Sequence, residues 1–312
     1  MFGKLFAESG LSLDRLKALL EVGQAGSIVK AAEGDPVRQS QYSRQIKELE
    51  DFFRIRLIER QGRGTKLTPG GRELARISRF FMLGLSNFQR GCLAEEHVFR
   101  IGAGATFTRE FLIPAIAGGE TGGATYATEI AGTEEMERRL HDLTLDFGVV
   151  GTKSLSRPLQ TRSLGFWKVG LWIPVGLGLG EKDGLAAFEA GGLPLILAKS
   201  ELEVLGVVIP PKQRTFLVCD NFLEARIALD GGKAAAILPQ FLMSGPETGL
   251  FQEVHVPKLE SVSGSYSLAW NPRLLRLNPH AAKRRDAIAR LLAGRVSSMC
   301  SLNKAPDAPQ NP

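Results

Sequence analysis

Cysteine, tyrosine, tryptophan and histidine are all scarce in this 312-residue chain, at three, three, three and four residues. The cysteines, Cys92, Cys219 and Cys300, are odd in number and far apart, and no CxxC occurs. That excludes a disulfide framework or a Cys/His zinc site as the organising device and sets the expectation of a reducing cytosol. Cys219 is expected to be a buried structural thiol. Long apolar runs are lacking as well. The longest, near Leu193–Ala198, falls far short of the ~20 residues that a membrane span requires, so no membrane partner is expected. The opening MFGKLFAESG is too short and too interrupted for a secretory signal and reads as a loose leader. A paired nucleophile and base is missing, so no catalytic residue is assigned. Gly102-Ala103-Gly104-Ala105-Thr106-Phe107 starts like a dinucleotide fingerprint but puts Phe107 at the third glycine position. Gly176-Leu177-Gly178-Leu179-Gly180 lacks the Lys-Ser/Thr of a phosphate loop. No cofactor and no metal are expected.

What is present is a concentrated surplus of positive charge. The chain holds 39 basic and 33 acidic residues, a net of +6. Arg38 to Arg79 contains 11 basic and 5 acidic residues, and the remaining 28 of each sign cancel. A surplus confined to one short segment suits a phosphate-facing surface, although a solvated basic face has the same composition.

That segment has the pattern of a winged helix-turn-helix. A first helix is expected from Leu13 to Val22, capped by Ser12 and ended by Gly23 and Gly26. Ser27 caps a short second helix with Ile28, Ala31 and Ala32 inward, closed by Gly34. The third helix buries Tyr42, Ile46, Leu49 and Phe53, at spacings of four, three and four. Its opposite face offers Arg38, Gln39, Ser40, Ser43, Arg44 and Lys47. Amide and guanidinium groups at such positions can form bidentate hydrogen bonds with base edges in a major groove. Asp35 can cap this helix and Pro36 suits its first position, so it is expected to start early, with Arg38 in its first turn. Ile55, Leu57 and Ile58 then read as a wing strand, 61–66 as its tip, and Leu67-Thr68 as the return. Arg63 and Lys66 are placed against phosphate or the minor groove.

These residues resemble the LysR-type transcriptional regulators. The resemblance rests on Gly26-Ser27-Ile28, Ala31-Ala32, Gln39-Ser40, Ser43-Arg44-Gln45-Ile46, Leu49-Glu50, Leu57, Arg60 and Leu67-Thr68-Pro69-Gly70-Gly71, in family spacing without insertion or deletion. It implies a homodimer or homotetramer that binds double-stranded promoter DNA with Ser27, Arg38, Gln39, Ser40, Ser43, Arg44, Lys47, Arg63, Lys66 and Thr68. The chain departs from the family pattern at Asp35, Arg38, Gln41 and Phe53-Arg54, where a Leu-Gly pair is usual.

From Gly70 to about Glu95 a long helix carries Leu74, Ile77, Phe81, Gly84 and Phe88 in a near-heptad seam. The resemblance makes it the dimerisation helix, through Leu74, Ile77, Phe81 and Phe88. The other reading of the seam is a helix packed on its own domain. Beyond it, short apolar runs alternate with helical stretches, the sign of an α/β architecture with largely parallel strands. Expected strands include 98–103, 125–130, 146–150, 159–164, 169–175, 193–198, 215–219, 234–238 and 266–270. Family resemblance makes this a two-lobed, periplasmic-binding-protein-like effector domain.

The expected organisation is therefore an N-terminal all-α winged helix-turn-helix at 1–69 with a long linker helix at 70–95, followed by an α/β effector-binding domain at 96–300. Lobe I would cover 96–158 and 266–295, and lobe II 159–265, with crossing strands near Pro158 and Ser265. Residues 301–312 would be a disordered tail. Ligands in such folds sit at the carboxyl ends of strands, which selects Gly104, Ala105, Thr106, Thr133, Asp220 and Asn221 as effector-binding. Thr106 and Thr133 also fit the role of helix caps. Free N–H groups at the helix following Thr106 could hold a carboxylate, so an organic anion is the expected class of effector. Two other functions stay open: a ligand-binding protein whose DNA module has decayed, and an enzyme on the α/β fold.

Overall fold

The computed structural model describes residues 10–62, 64–92, 98–119, 123–151, 155–207, 209–210, 212–244, 248–278 and 280–301. The leader before Gly10, wing residue Arg63 and the tail beyond Ser301 lie outside the described residues. The chain divides into two compact units, Met1–Glu95 and Glu96–Pro312.

In the first unit, α1 spans Leu13–Ala25 and buries Leu16, Ala18, Leu19 and Val22. The Ser12 hydroxyl accepts the Arg15 N–H at 3.3 Å, the expected cap. Gly23 does not end this helix. It lies inside it because Leu67 of the wing packs there, 2.6 Å from where a Cβ would stand. The helix stops at Gly26, in the left-handed region at φ 65°, with its N–H bonded to Val22 O. Helix α2 is the single turn Ile28–Ala31, and no side-chain cap bond comes from Ser27.

Helix α3 spans Pro36–Phe53. Its start is the one Asp35-Pro36 implies: Asp35 accepts the Val37 N–H at 2.8 Å, Pro36 occupies the first position, and Arg38 falls in the first turn. Its end is strained. Arg54 closes it at φ 57°, in the region glycine occupies at a lower cost. Arg54→Gly is expected to stabilise this unit by about 1 kcal/mol, read as a rise in the first unfolding transition of the full chain. An unchanged or lower transition would show that the Arg54 side chain offsets its backbone strain.

The wing is a tight antiparallel hairpin of β1 (Ile58–Gln61) and β2 (Gly64–Leu67). Gln61 pairs with Gly64, so Gly64, Thr65 and Lys66 belong to the strand rather than the tip. Thr65 N–H donates to Gly26 O at 2.9 Å, which holds the wing on the α1–α2 turn. The joint between α3 and the wing is made by Glu50, 8% exposed. Its Oε1 accepts the N–H groups of Leu57 and Ile58 at 2.8 and 3.3 Å, and Arg56 donates to Oε2 at 3.2 Å. Leu16, Leu19, Leu49, Leu57 and Ala75 form the small core. Helix α4 then runs Pro69–Cys92, 24 residues.

The second unit is a mixed nine-stranded sheet in the order β4-β3-β5-β11-β6-β9-β7-β8, with β10 also paired to β6. Strands β3 (Val98–Ala103), β4 (Thr125–Ile130) and β5 (Phe147–Val150) are parallel to one another. Between them lie α5 (Ala105–Phe107), a π-turn at Thr108–Leu112, α6 (Ile113–Gly118) and α7 (Thr133–His141). A single long strand β6 (Gln160–Pro174) replaces the two strands expected at 159–164 and 169–175. It is followed by α8 (Glu181–Glu189), β7 (Leu195–Ala198), α9 (Lys199–Val204), β8 (Thr215–Cys219), α10 (Phe222–Leu229) and β9 (Ala235–Pro239). The chain then forms β10 (Phe251–Val254), α11 (Pro257–Glu260), β11 (Ser263–Trp270), α12 (Pro272–Leu277) and α13 (Ala281–Ser301).

The architecture is two-lobed, and β6 is the element the lobes share. Its 160–168 stretch pairs with β11, and Val169–Trp172 pair with β9. The change of partner falls in the middle of β6, the strand that begins just after Pro158. Within that strand the register with β11 shifts between Tyr266 and Ser267, and Gly165 sits there at φ 146°, with Val296 of α13 2.7 Å from where its Cβ would be. A bulge of this kind turns the strand as it passes from one lobe to the other.

Candidate nucleic-acid interface and ligand cavity

The sequence-selected face of α3 is accessible. Arg38, Ser40, Ser43, Arg44 and Lys47 are exposed and Gln39 is half-buried, while Ile46 and Leu49 point inward. Tyr42 does not join the buried set: its hydroxyl donates to Glu21 of α1 at 2.6 Å. That hydrogen bond raises its pKa, with burial adding to it. Two of the face's cations have local partners. Arg38 pairs with Glu33 at 3.2 Å and Arg44 with Glu48 at 3.8 Å, all in or near solvent, where such pairs are weak and readily exchanged for phosphate. Among the described residues no carboxylate lies within ion-pair distance of Lys47 or Lys66, and both are exposed.

Thr68 serves a different purpose from the one expected. Its hydroxyl donates to Arg56 O at 2.7 Å and accepts Gly71 N–H at 3.0 Å, so it caps α4 and is committed within the protein. Ser27 keeps its hydroxyl clear of the α2 cap. Arg63 falls outside the described residues.

The seam on α4 is partly corrected. Ile77, Phe81 and Phe88 are exposed, at 51, 50 and 73%. Leu74 instead packs against the unit's own core beside Ala75. Its place in the exposed row is taken by Leu85, 45% exposed. Ile77, Phe81, Leu85 and Phe88 follow one another at helical spacing and form a continuous apolar stripe on α4.

In the second unit a cavity of about 320 Å³ opens where β5, β6 and β11 meet α5, α7, α9 and α10. Of the six residues selected from sequence, Gly104, Thr106 and Thr133 line it. Thr106 and Thr133 are not caps. The N-cap positions belong to Gly104 and Gly132, which leaves both threonines inside the first helical turn. Ala105 lies between two lining residues without lining the cavity itself. Asp220 and Asn221 do not line it. Asn221 Oδ1 accepts Glu224 N–H at 3.0 Å to cap α10, and Asp220 stays exposed with its N–H on Glu224. The chain turns inward one residue later, so Phe222 is the lining residue.

The residue that sequence reasoning missed is Glu201, on the short helix α9. It accepts the N–H of Phe222. Burial pushes its carboxyl up to about 7, opposed by that hydrogen bond and reinforced by Glu224 nearby. In Lys199-Ser200-Glu201-Leu202-Glu203 nothing local separates the half-buried glutamate from its exposed neighbour Glu203, which pairs with Lys199. Four aromatic residues also line the cavity, Phe107, Trp167, Phe222 and Tyr266. Trp167 and Tyr266 stack with ring centres 5.5 Å apart.

Asp146 takes part in the fold. Its side chain accepts Arg100 N–H at 2.8 Å, tying β5 to β3. Cys219 is buried and free, and burial together with Glu224 and Asp220 pushes its thiol up, away from the reactive thiolate. The described residues contain no group of three or more His, Cys, Asp or Glu placed to hold a metal ion, and no helix among them is long and apolar enough to cross a membrane.

Residues 13–72 match the family of bacterial regulatory helix-turn-helix proteins of the lysR type. Over 69 residues the chain is 42% identical to a probable nitrogen assimilation transcriptional activator of Synechococcus elongatus, a match that spans 22% of each protein. Similarity of fold extends much further. ArgP from Mycobacterium tuberculosis, 20% identical, aligns with a TM-score of 0.61 over 89% of this chain and 97% of its own. Full-length LysG from Corynebacterium glutamicum, an LTTR (LysR-type transcriptional regulator) with bound effector Arg, is 18% identical and aligns with a TM-score of 0.56 over 88% and 98%.

Proposed function

We propose that this chain, which carries a LysR-family helix-turn-helix at 13–72 and the fold of full-length LysR-type regulators, is a DNA-binding transcriptional regulator whose promoter binding responds to a small-molecule effector. The observation that carries the reading is the exposed polar and basic face of α3, entered through the Asp35 cap and presented beside a basic wing. Gln39, Ser43 and Arg44 are the groups assigned to the groove, with Arg38 at its edge and Lys47, Lys66 and Arg63 on the backbone. The face is neither occluded nor stripped of charge, which argues against a decayed module. Asp146 and Cys219 serve the fold, and this favours a regulator over an enzyme. Transcription control places the protein in the cytoplasm.

A homodimer follows from the α4 stripe, because four exposed apolar residues on one helix face need a cover. Two such modules would set recognition helices in successive major grooves, about 34–36 Å apart or a multiple of that. A tetramer is a pair of these dimers. The effector seat is the cavity of the second unit, next to β6, the strand that both lobes share. A ligand that binds one lobe arrangement more tightly shifts the population of that arrangement.

Salt dependence tests the interface directly. In anisotropy titrations on promoter DNA, Lys47→Ala is expected to weaken binding to specific and non-specific fragments alike and to reduce the log–log salt slope by about 1. Gln39→Ala should leave that slope alone and reduce discrimination between fragments. Wild-type salt dependence in the Lys47 variant would remove α3 from the phosphate-facing surface.

A further inference from the structure

The cavity wall limits which ligands can occupy it. Among the described residues that line it none is lysine or arginine, and the charged side chain is Glu201. One oxygen of that carboxylate holds the Phe222 N–H, and no hydrogen bond from a described residue reaches the other. Two more polar groups on the wall lack partners. Thr106 is 3% and Trp167 7% exposed, and neither Thr106 Oγ1 nor Trp167 Nε1 has a hydrogen-bond partner within the protein. A buried polar group without a partner costs free energy, so a ligand that supplies one gains selectively. A carboxylate placed here would face Glu201 with no cation to balance it, and a purely apolar ligand would leave three polar groups unsatisfied.

The aromatic residues favour the opposite charge. Phe107 meets Tyr266 edge-on, with ring centres 4.7 Å apart, and Trp167 meets Phe222 edge-on at 5.9 Å. Four aromatic rings and a carboxylate lining one cavity attract an ammonium group. We propose that the cavity is the receptor for a small organic cation: an ammonium on an apolar or aromatic body that also carries a neutral hydrogen-bond acceptor. Glu201 is its counter-ion, Thr106 Oγ1 accepts from the same ammonium, and Trp167 Nε1 donates to the acceptor. This rests on the reading that the cavity holds the effector, and it replaces the organic anion expected from sequence with a ligand of opposite charge.

The carboxyl's raised value near 7 gives the binding a pH signature. The groups around it are Glu224 from α10, Tyr266 from β11, and Lys199 and Glu203 on its own helix, which pair with each other at 3.9 Å. Burial and the Glu201 charge push the Tyr266 phenol well up, so it stays protonated. Glu201 changes charge around pH 7. It is ionised above that value and neutral below it, so affinity for a cation rises with pH.

The test uses the full chain and three probes of matched shape, tyramine, tyrosol and phloretate, measured by calorimetry and by their effect on promoter-DNA affinity. At pH 8 tyramine is expected to bind about tenfold or more tighter than tyrosol, and phloretate most weakly. Between pH 8 and pH 6 tyramine should lose about tenfold while tyrosol is unchanged. Glu201→Gln, whose amide oxygen can still accept the Phe222 N–H, should bring tyramine down to tyrosol. Trp167→Phe should weaken tyramine and tyrosol equally and keep the pH dependence. Tighter binding of phloretate, a flat tyramine profile or an unchanged preference in the Glu201 variant overturns the cation assignment and leaves the effector cavity standing. If no probe binds and none shifts DNA affinity, both the assignment and the cavity reading fall.

Discussion

Replacing Phe81 and Phe88 together by glutamate is expected to leave the protein monomeric and to lower its affinity for a two-fold operator by about 100-fold or more. The two rings are half and nearly three-quarters exposed on α4, in line with Ile77 and Leu85. Charges on that stripe cannot be buried against a second copy, because a desolvated carboxylate without a partner costs several kcal/mol. The loss at DNA then follows without any change in the contacts of α3. Linking two modules raises the local concentration of the second, and such avidity amounts to ~10²–10⁴. Sedimentation gives the mass and anisotropy the affinity. A dimer that survives both substitutions would move the interface elsewhere, and Leu74→Glu is the contrasting variant. Leu74 packs in the unit's own core, so its replacement should unfold the winged module.

Glu50→Ala is expected to destabilise the first unit by about 3 kcal/mol and to abolish specific DNA binding. The buried carboxylate satisfies the N–H groups of Leu57 and Ile58, where the chain leaves α3 for the wing. Alanine leaves both donors without a partner, at a cost of ~1–3 kcal/mol each. Glu50→Gln keeps an acceptor and should recover most of the loss, so the pair separates hydrogen bonding from charge. Thermal melting and far-ultraviolet dichroism of the full chain provide the reading. If Glu50→Ala melts like wild type, the α3–wing joint is held by packing alone.

The N-terminal unit was legible in the sequence because its signals are local. Ser12, Asp35 and Pro36 act within three residues of where they stand, and the cap bonds appear where those residue types put them. The errors there came from contacts between distant segments. Gly23 reads as a helix stop, yet it makes room for Leu67, 44 residues further on. Leu74 fits a seam by spacing, and only the position of α1 and the wing shows that it faces its own core. In the second unit the strand order was not readable. Two apolar runs separated by Gly165-Phe166-Trp167-Lys168 look like two strands, whereas a bulge lets one strand continue through both lobes.

The cavity followed the same division. Gly104, Thr106 and Thr133 were accessible because they follow strands, which is a positional rule. Asp220 and Asn221 satisfied that rule and still failed, since Asn221 was taken up by the cap of α10. Glu201 had no signal of its own. Its burial depends on the close approach of α9, α10 and β11, and no window of sequence contains all three.

The central claim is that a dimer of this chain reads DNA through α3. Footprinting of the full-length protein on the DNA upstream of its own gene tests that most directly. Two protected half-sites are expected about 10–10.5 base pairs apart, or a multiple of that, both lost together in the Phe81→Glu, Phe88→Glu variant. Absence of sequence-specific protection at any moderate salt, or two half-sites that survive independently in that variant, would contradict it.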